Sequence, residues 1–167
     1  MRIGLISDTH DRVEYIDKAV KIFSDVDLVI HTGDWCSPFF LLDFVKKIKA
    51  QVKTVFGNND ADIFRLMDLT KGLDIEFLGD FAEIEIENRK YAVLHGDPES
   101  IIDSLALSNK YDVIFHGHTH KARIEKIKDT VVLNPGSFMP RSRKKWTKPS
   151  VAVFDSDKLT GEIKILE

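Results

Sequence analysis

Val113-Ile114-Phe115-His116-Gly117-His118-Thr119-His120 sets three histidines directly behind a short apolar run, and the rest of the chain is read from this stretch. On an extended backbone alternate residues share a side, so His118 and His120 are predicted to present two imidazoles in one direction with Thr119 turned away. Two such nitrogens suit a metal ion. Matching hard ligands stand at the ends of other short apolar runs. Asp8 and His10 follow Ile3-Gly4-Leu5-Ile6, Asp34 follows Leu28-Val29-Ile30, Asn58 follows Val55-Phe56, and His95 follows Tyr91-Ala92-Val93-Leu94. All six histidines lie at such ends, and none lies on a helical face.

Outward from that stretch, the first third alternates strand and helix. Ile3 to Ile6 reads as a buried strand, central in a mixed sheet. Val13, Ile16, Ala19, Val20 and Phe23 recur at helical spacing. Asp27 to Ile30 is the next strand. Ser37-Pro38 then offers an N-cap and first helical position for a helix carrying Phe40, Leu41, Phe44, Val45 and Ile48, with lysines in its last turn. Val52 to Phe56 is a third strand, so the pairing here should be largely parallel with right-handed crossovers.

A short helix from Ala61 to Met67 is expected next. From Phe81 the pattern becomes a hairpin, with a turn at Asn88-Arg89 and a return from Lys90 to Leu94. Pro98 and Glu99 open a helix carrying Ile101, Ile102, Leu105 and Ala106, which leads into Val113 to Phe115. Strands around Ile124 to Ile127 and Val131 to Leu133 follow, and Val151 to Phe154 with Glu162 to Leu166 close the chain. This is too many strands for one open sheet in so short a chain. The expected fold is α/β, two packed mixed β-sheets flanked by helices in a four-layer α-β-β-α sandwich, formed by residues 1–167 as one domain.

Composition excludes several classes. With 43% hydrophobic and 31% charged residues over 167 positions, the chain reads as globular rather than disordered. A net charge of -3 gives no global basic field for wrapping nucleic acid. Cys36 is the only cysteine, which excludes an intrachain disulfide and a thiolate zinc cluster. No run approaches the roughly 20 apolar residues of a membrane span, and no signal-peptide pattern is seen, so no membrane association and a cytoplasmic location are expected.

The donor set Asp8, His10, Asp34, Asn58, His95, His118 and His120 mixes oxygen and nitrogen without sulfur. That suits manganese, nickel, iron, cobalt or zinc in a reactive site better than a structural zinc knot. The set exceeds one ion's needs and fits two ions about 3.5 to 4 Å apart sharing a carboxylate. Taken singly, each residue has a plainer explanation, a polar loop histidine or a helix-capping aspartate. The joint pattern is what carries the metal reading.

These pieces resemble the calcineurin-like metallophosphoesterases, within them the small single-domain phosphodiesterases related to the retromer scaffold subunit. The matching motifs are Asp8-Thr9-His10, Gly33-Asp34, Gly57-Asn58-Asn59-Asp60, His95-Gly96 and Gly117-His118-Thr119-His120, in that family's order. The resemblance implies one divalent metal held by Asp8, His10, Asp34 and His120 and a second held by Asp34, Asn58, His95 and His118, with Asp34 as the catalytic bridge and Mn or Ni as the leading ions. It implies hydrolysis of a small phosphodiester, a nucleotide among the candidates, by a metal-activated hydroxide. Larger relatives carry a histidine after the ligand asparagine. Here the position is Asn59, which can contact phosphate but cannot serve as a general acid near neutral pH. Diesters with aryl leaving groups are therefore expected to be preferred. Phosphomonoesterase or cyclic-nucleotide diesterase activity is the first alternative, and a non-catalytic protein-binding scaffold the second.

Other marked positions divide between roles. His31 and His116 are read as packed polar histidines or as supports for the ligands. Asp60 is placed on a loop amide or on Asn59, and Asn134 is read as closing the site edge or reaching the cluster. Arg141, Arg143, Lys144, Lys145 and Lys148 crowd a loop around Trp146, read chiefly as a solvated loop or subunit contact and otherwise as a nucleotide contact. A homodimer is left open.

Overall fold

The computed structural model describes residues 1–139 and 147–167 in full, with the backbone of 141–142 and 145–146. In chain order the elements begin with β1 Arg2–Ile6, a 3-10 turn Val13–Tyr15, α1 Ile16–Ile22, β2 Leu28–His31, α2 Pro38–Lys47, β3 Gln51–Thr54, α3 Ile63–Leu69 and β4 Ile75–Phe77. They continue with β5 Phe81–Ile86, β6 Arg89–Leu94, α4 Ser100–Leu107, β7 Val113–Phe115, β8 Arg123–Ile127 and β9 Thr130–Asn134. The short pair β10 Arg141–Ser142 and β11 Lys145–Trp146 precedes β12 Ser150–Asp155 and β13 Thr160–Ile165.

Two mixed sheets result. The six-stranded sheet runs β13-β12-β1-β2-β3-β4, and β1 sits near its middle, as its apolar composition predicts. β1 to β4 are parallel, and β12 and β13 pair antiparallel. The five-stranded sheet runs β5-β6-β7-β9-β8, parallel within β6, β7 and β9 and antiparallel at both edges.

Strand alternation sorts side chains between layers. Ile3 and Leu5 of β1, Tyr91 and Val93 of β6, Val113 and Phe115 of β7, and Val131 and Leu133 of β9 meet between the sheets. Tyr91 and Phe154 pack against Phe115 there, with ring centroids 5.4 and 5.3 Å away. The intervening residues face outward. Ile6 joins Ile16, Phe40, Phe44 and Leu66 under α1, α2 and α3, whereas Ala92, Ile114 and Val132 lie under Ile102 and Ala106 of α4. Each large apolar side chain buried in these layers contributes roughly 1.5–3 kcal/mol. The expected four-layer α-β-β-α sandwich is what forms.

The start of α2 matches its sequence signals. Pro38 occupies the first turn and the Ser37 hydroxyl accepts from the Phe39 amide at 3.1 Å. Elsewhere the chain departs from expectation. The Val13 to Phe23 helix is α-helical only from Ile16, because Asp11 sits in the left-handed region and forces a tight entry turn. The hairpin turns at Glu87-Asn88, one residue earlier than expected, with both φ values positive (52° and 61°). That is the turn geometry whose twist suits adjacent antiparallel strands. β4 was not anticipated, being three residues long and only half-buried. No helix among the described residues is long and apolar enough to cross a membrane.

Candidate metal centre

The site forms where β1, β2, β3, β6 and β7 end. Loop backbones are tied directly to one another: the Asp8 amide donates to the Gly33 carbonyl at 3.0 Å, and the Gly117 amide to the His95 carbonyl at 3.0 Å. Glycine is needed at two of these crossings. A Cβ on Gly57 would collide with the carboxylate and amide of Asp34, and one on Gly117 with Ser7 and the Asp8 carboxylate.

His118 and His120 are not on an extended backbone. β7 ends at Phe115, and the two residues have φ of 65° and 59°. Asp8, His10 and Asp34 are left-handed too, at 51°, 42° and 64°. Convergence therefore comes from kinked loops rather than from strand alternation. Left-handed residues other than glycine cost of order 1 kcal/mol or more each and gather where function requires them.

Asp8 is fully buried. Its Oδ2 accepts from the Ser7 hydroxyl at 2.5 Å and from the His118 amide at 3.0 Å. Its Oδ1 makes no hydrogen bond, yet faces His120 Nε2 at 3.2 Å and the Nε2 atoms of His10 and His95 at 3.9 Å each. Asp34 Oδ2 lies between His10 Nε2 (3.6 Å) and His95 Nε2 (3.4 Å). His10 and His120 bring their Nε2 atoms within 3.2 Å, and His118 Nδ1 is 3.1 Å from Asn58 Oδ1 and 3.3 Å from His95 Nε2. Donors around one cation with bonds near 2.1 Å stand about 3.0–3.4 Å apart. These separations, with an orphaned buried carboxylate oxygen at their centre, fit a pair of divalent ions.

Two clusters emerge on distance alone, Asp8 with His10 and His120, and Asp8 with Asp34 and His95. Asp8 recurs in both, whereas the resemblance implied Asp34 as the bridge. Asp34 Oδ2 is nonetheless nearer than Asp8 Oδ1 to both His10 (3.6 against 3.9 Å) and His95 (3.4 against 3.9 Å). All seven donors read from the sequence meet in this one place.

At His95, His10 and His118 the ring nitrogen facing away from the cluster has a partner that the sequence did not reveal. His95 Nδ1 is 2.8 Å from the Thr32 carbonyl, which makes Nδ1 the donor and leaves Nε2 for a ligand role. His10 Nδ1 meets Cys36 Sγ at 3.3 Å, and His118 Nε2 lies 3.7 Å from the Asp97 carboxylate. Electrostatics follow from these contacts. Burial disfavours charge on His95, but Asp34 and Asp8 outweigh it and raise its pKa to about 9. Burial likewise opposes charge on Asp34, and His95 and Asn59 overcome it, holding the carboxyl well below its usual range. Burial dominates at His10 and lowers its pKa despite both aspartates.

Asn59 donates its amide side chain to Asp34 Oδ2 at 2.7 Å and its backbone amide to Oδ1 at 2.8 Å, so it steadies the central carboxylate. Asp60 serves backbone amides rather than Asn59, accepting from Gly57 (2.8 Å), Asp34 (2.9 Å) and Cys36 (2.9 Å). Asn134 closes the site edge without reaching the cluster. It donates to the Gly117 carbonyl at 2.7 Å and accepts from the Gly136 amide at 2.9 Å.

His31 and His116 are packed histidines. His31 stacks on Trp35 at 3.5 Å, accepts from the Gly33 amide at 3.0 Å, and is kept neutral by burial. Burial also pushes His116 down to about 4. Of the basic loop, Lys148 pairs with Glu167 at 3.1 Å; the side chains of Arg141, Arg143, Lys144, Lys145 and Trp146 lie outside the described residues.

Known proteins resemble this chain in sequence and in fold. The chain is 38% identical to a phosphodiesterase of Methanocaldococcus jannaschii over 139 residues, covering 81% of this chain and 83% of that one. It is 38% identical to a probable metallophosphoesterase of Methanothermobacter thermautotrophicus, covering 98% and 91%. The solved structure of an archaeal phosphodiesterase superposes with a TM-score of 0.87 at 32% identity, covering 99% of this chain and all of that one. Residues 1–159 match the calcineurin-like phosphoesterase superfamily domain, and with a two-cluster metal site at the end of its paired sheets the chain belongs to that superfamily.

Proposed function

We propose that residues 1–167 act as one domain that hydrolyses phosphodiesters with the help of two divalent ions. Asp8, His10, Asp34 and His120 would hold one ion and Asp34, Asn58, His95 and His118 the other. When bound, such a pair supplies an activated water as nucleophile and positive charge beside the developing phosphoryl oxygens. The observation that carries this reading is the buried Asp8 Oδ1, without a hydrogen bond and facing three imidazole nitrogens, with Asp34 Oδ2 set between two of them.

The chain's own groups then set orientation and leaving-group choice. Thr32 keeps His95 in the tautomer that offers Nε2 inward. Asn59, which now holds Asp34, would exchange that contact for a phosphoryl oxygen when substrate arrives. An amide cannot protonate the departing oxygen, so groups that leave as stable anions, such as aryl oxides, are favoured. The relatives named as phosphodiesterases support the diester over the monoester or cyclic-nucleotide alternative. Retention of every donor counts against a purely scaffolding role.

Mn or Ni best suits the oxygen and nitrogen donors, with Fe, Co and Zn compatible. A small diester, a nucleotide among the candidates, is the proposed substrate, a cytoplasmic location is the proposed setting, and a homodimer is the proposed further state. The test is metal-stripped protein reconstituted with Mn, Ni, Zn or Mg and assayed on an aryl phosphodiester and its matching monoester. Diester turnover restored by at least one ion and exceeding monoester turnover is expected. No turnover with any ion would favour the scaffold, and a monoester preference would overturn the substrate class.

A further inference from the structure

Resting on the two-ion reading, we propose that Cys36 and Asp97 are positioning residues, one for each ion, Cys36 acting through His10 and Asp97 through His118. Neither residue belongs to the donor set. Both meet the ring nitrogen that the cluster does not use. His10 points Nε2 at His120, Asp34 and Asp8, which leaves Nδ1 against Cys36 Sγ at 3.3 Å. His118 is turned the other way round. Its Nδ1 faces Asn58 and His95, which leaves Nε2 against Asp97 at 3.7 Å.

An imidazole that lends one nitrogen to a cation carries its proton on the other, so each outer partner must face that N–H with an acceptor, Cys36 at contact distance and Asp97 at ion-pair distance. A thiol sulfur accepts weakly and a carboxylate strongly. Cys36 is nonetheless well placed to do it. Its backbone amide is anchored on Asp60 at 2.9 Å and its φ of 68° turns the side chain back from the start of α2. Asp97 answers a different need. The second ion's proposed donors, Asn58, His95 and His118, are neutral when ligating, and Asp34 is shared. A carboxylate behind His118 adds negative charge to the side of the centre that has least of it.

The two partners therefore address different ions, and this can be measured without activity. Calorimetric titration of metal-free protein with Mn should show two ions bound. Cys36→Ala and Asp97→Ala should each weaken one ion about tenfold and leave the other within twofold. The double variant should weaken both. Cys36→Ser and Asp97→Glu, which restore an acceptor, should recover most of the loss, which separates positioning from a folding defect. Wild type binding fewer than two ions would overturn the two-ion reading together with this inference. Wild type binding two ions while both single variants keep wild-type affinities would overturn this inference alone. So would a double variant that retains one ion at wild-type affinity, because both residues would then serve the same ion.

Discussion

The histidines divide into a converging set and a buried set, although all of them stand at strand ends. His10, His95, His118 and His120 bring ring nitrogens to within hydrogen-bond distance of one another or of a carboxylate. His31 and His116 start from equivalent positions on β2 and β7 but turn into the protein, where burial keeps them uncharged. For three of the four converging histidines the difference lies in the backbone. His10, His118 and His120 are kinked into the left-handed region, while His31 is still the last residue of its strand and His116 follows β7 directly. His95 follows β6 directly, as His116 follows β7, and no such kink turns it; its Nδ1 on the Thr32 carbonyl at 2.8 Å and its Nε2 toward Asp34 at 3.4 Å set its direction instead.

The sharpest way to break this comparison is to remove the carboxylate on which the converging set is built. Asp34→Ala should lower diester turnover by more than about a hundredfold, since even outer partners of metal ligands are worth 10–100-fold. Near-normal turnover with two ions bound would show that the centre does not depend on that carboxylate.

Next in size is the pH dependence of ion uptake. With its pKa raised to about 9, His95 is protonated at neutral pH in the metal-free protein, so an ion must displace a proton to use Nε2. Affinity should rise with pH by up to about tenfold per unit until about pH 9 and then level off. Buffer-dependent calorimetry would read the proton release directly, and release that stayed absent at pH 7 would remove His95 from the donor set. The same raised pKa makes the metal-free fold more stable below pH 6.5, with that contribution lost as pH climbs through about 9.

A histidine can also be added. Asn59→His puts a titratable donor beside Asp34, and monoester turnover should increase about a hundredfold, the low end of what general acid catalysis supplies. An unchanged monoester rate would reject the account of leaving-group choice. The smallest effect on chemistry is expected at His31. His31→Leu strands the Gly33 amide and should cost about 1–3 kcal/mol in urea unfolding, while two ions still bind with affinities within twofold. If ion binding vanished from a folded His31→Leu protein, the division between the two sets of histidines would collapse.

Much of the scaffold was legible because short apolar runs report burial locally. Ile3 to Ile6, Asp27 to Ile30 and Val113 to Phe115 read as strands, and strands cover all of them but Asp27. Ser37-Pro38 announced α2 for the same local reason. The donors were legible by residue type and by position at run ends, since an aspartate or histidine closing a buried strand has few roles. What misled was the step from run end to side-chain direction. His118 and His120 were expected to share a side by extended alternation, and they converge through left-handed kinks instead.

Thr32 behind His95, Cys36 behind His10 and Asp97 behind His118 left no trace in the pattern. Those contacts depend on which loops the sheet order makes neighbours. His10 and Cys36 meet across 26 positions, and His118 and Asn58 across 60. The amino-acid sequence by itself determined the helices, the longer strands, the two-sheet architecture and the chemical kind of each candidate donor, because burial and ligand type are properties of individual residues and their near neighbours. Only the tertiary structure decided the strand order, the direction of each imidazole and the partner behind it, because these depend on the packing of segments far apart in the chain and on backbone kinks that packing holds in place.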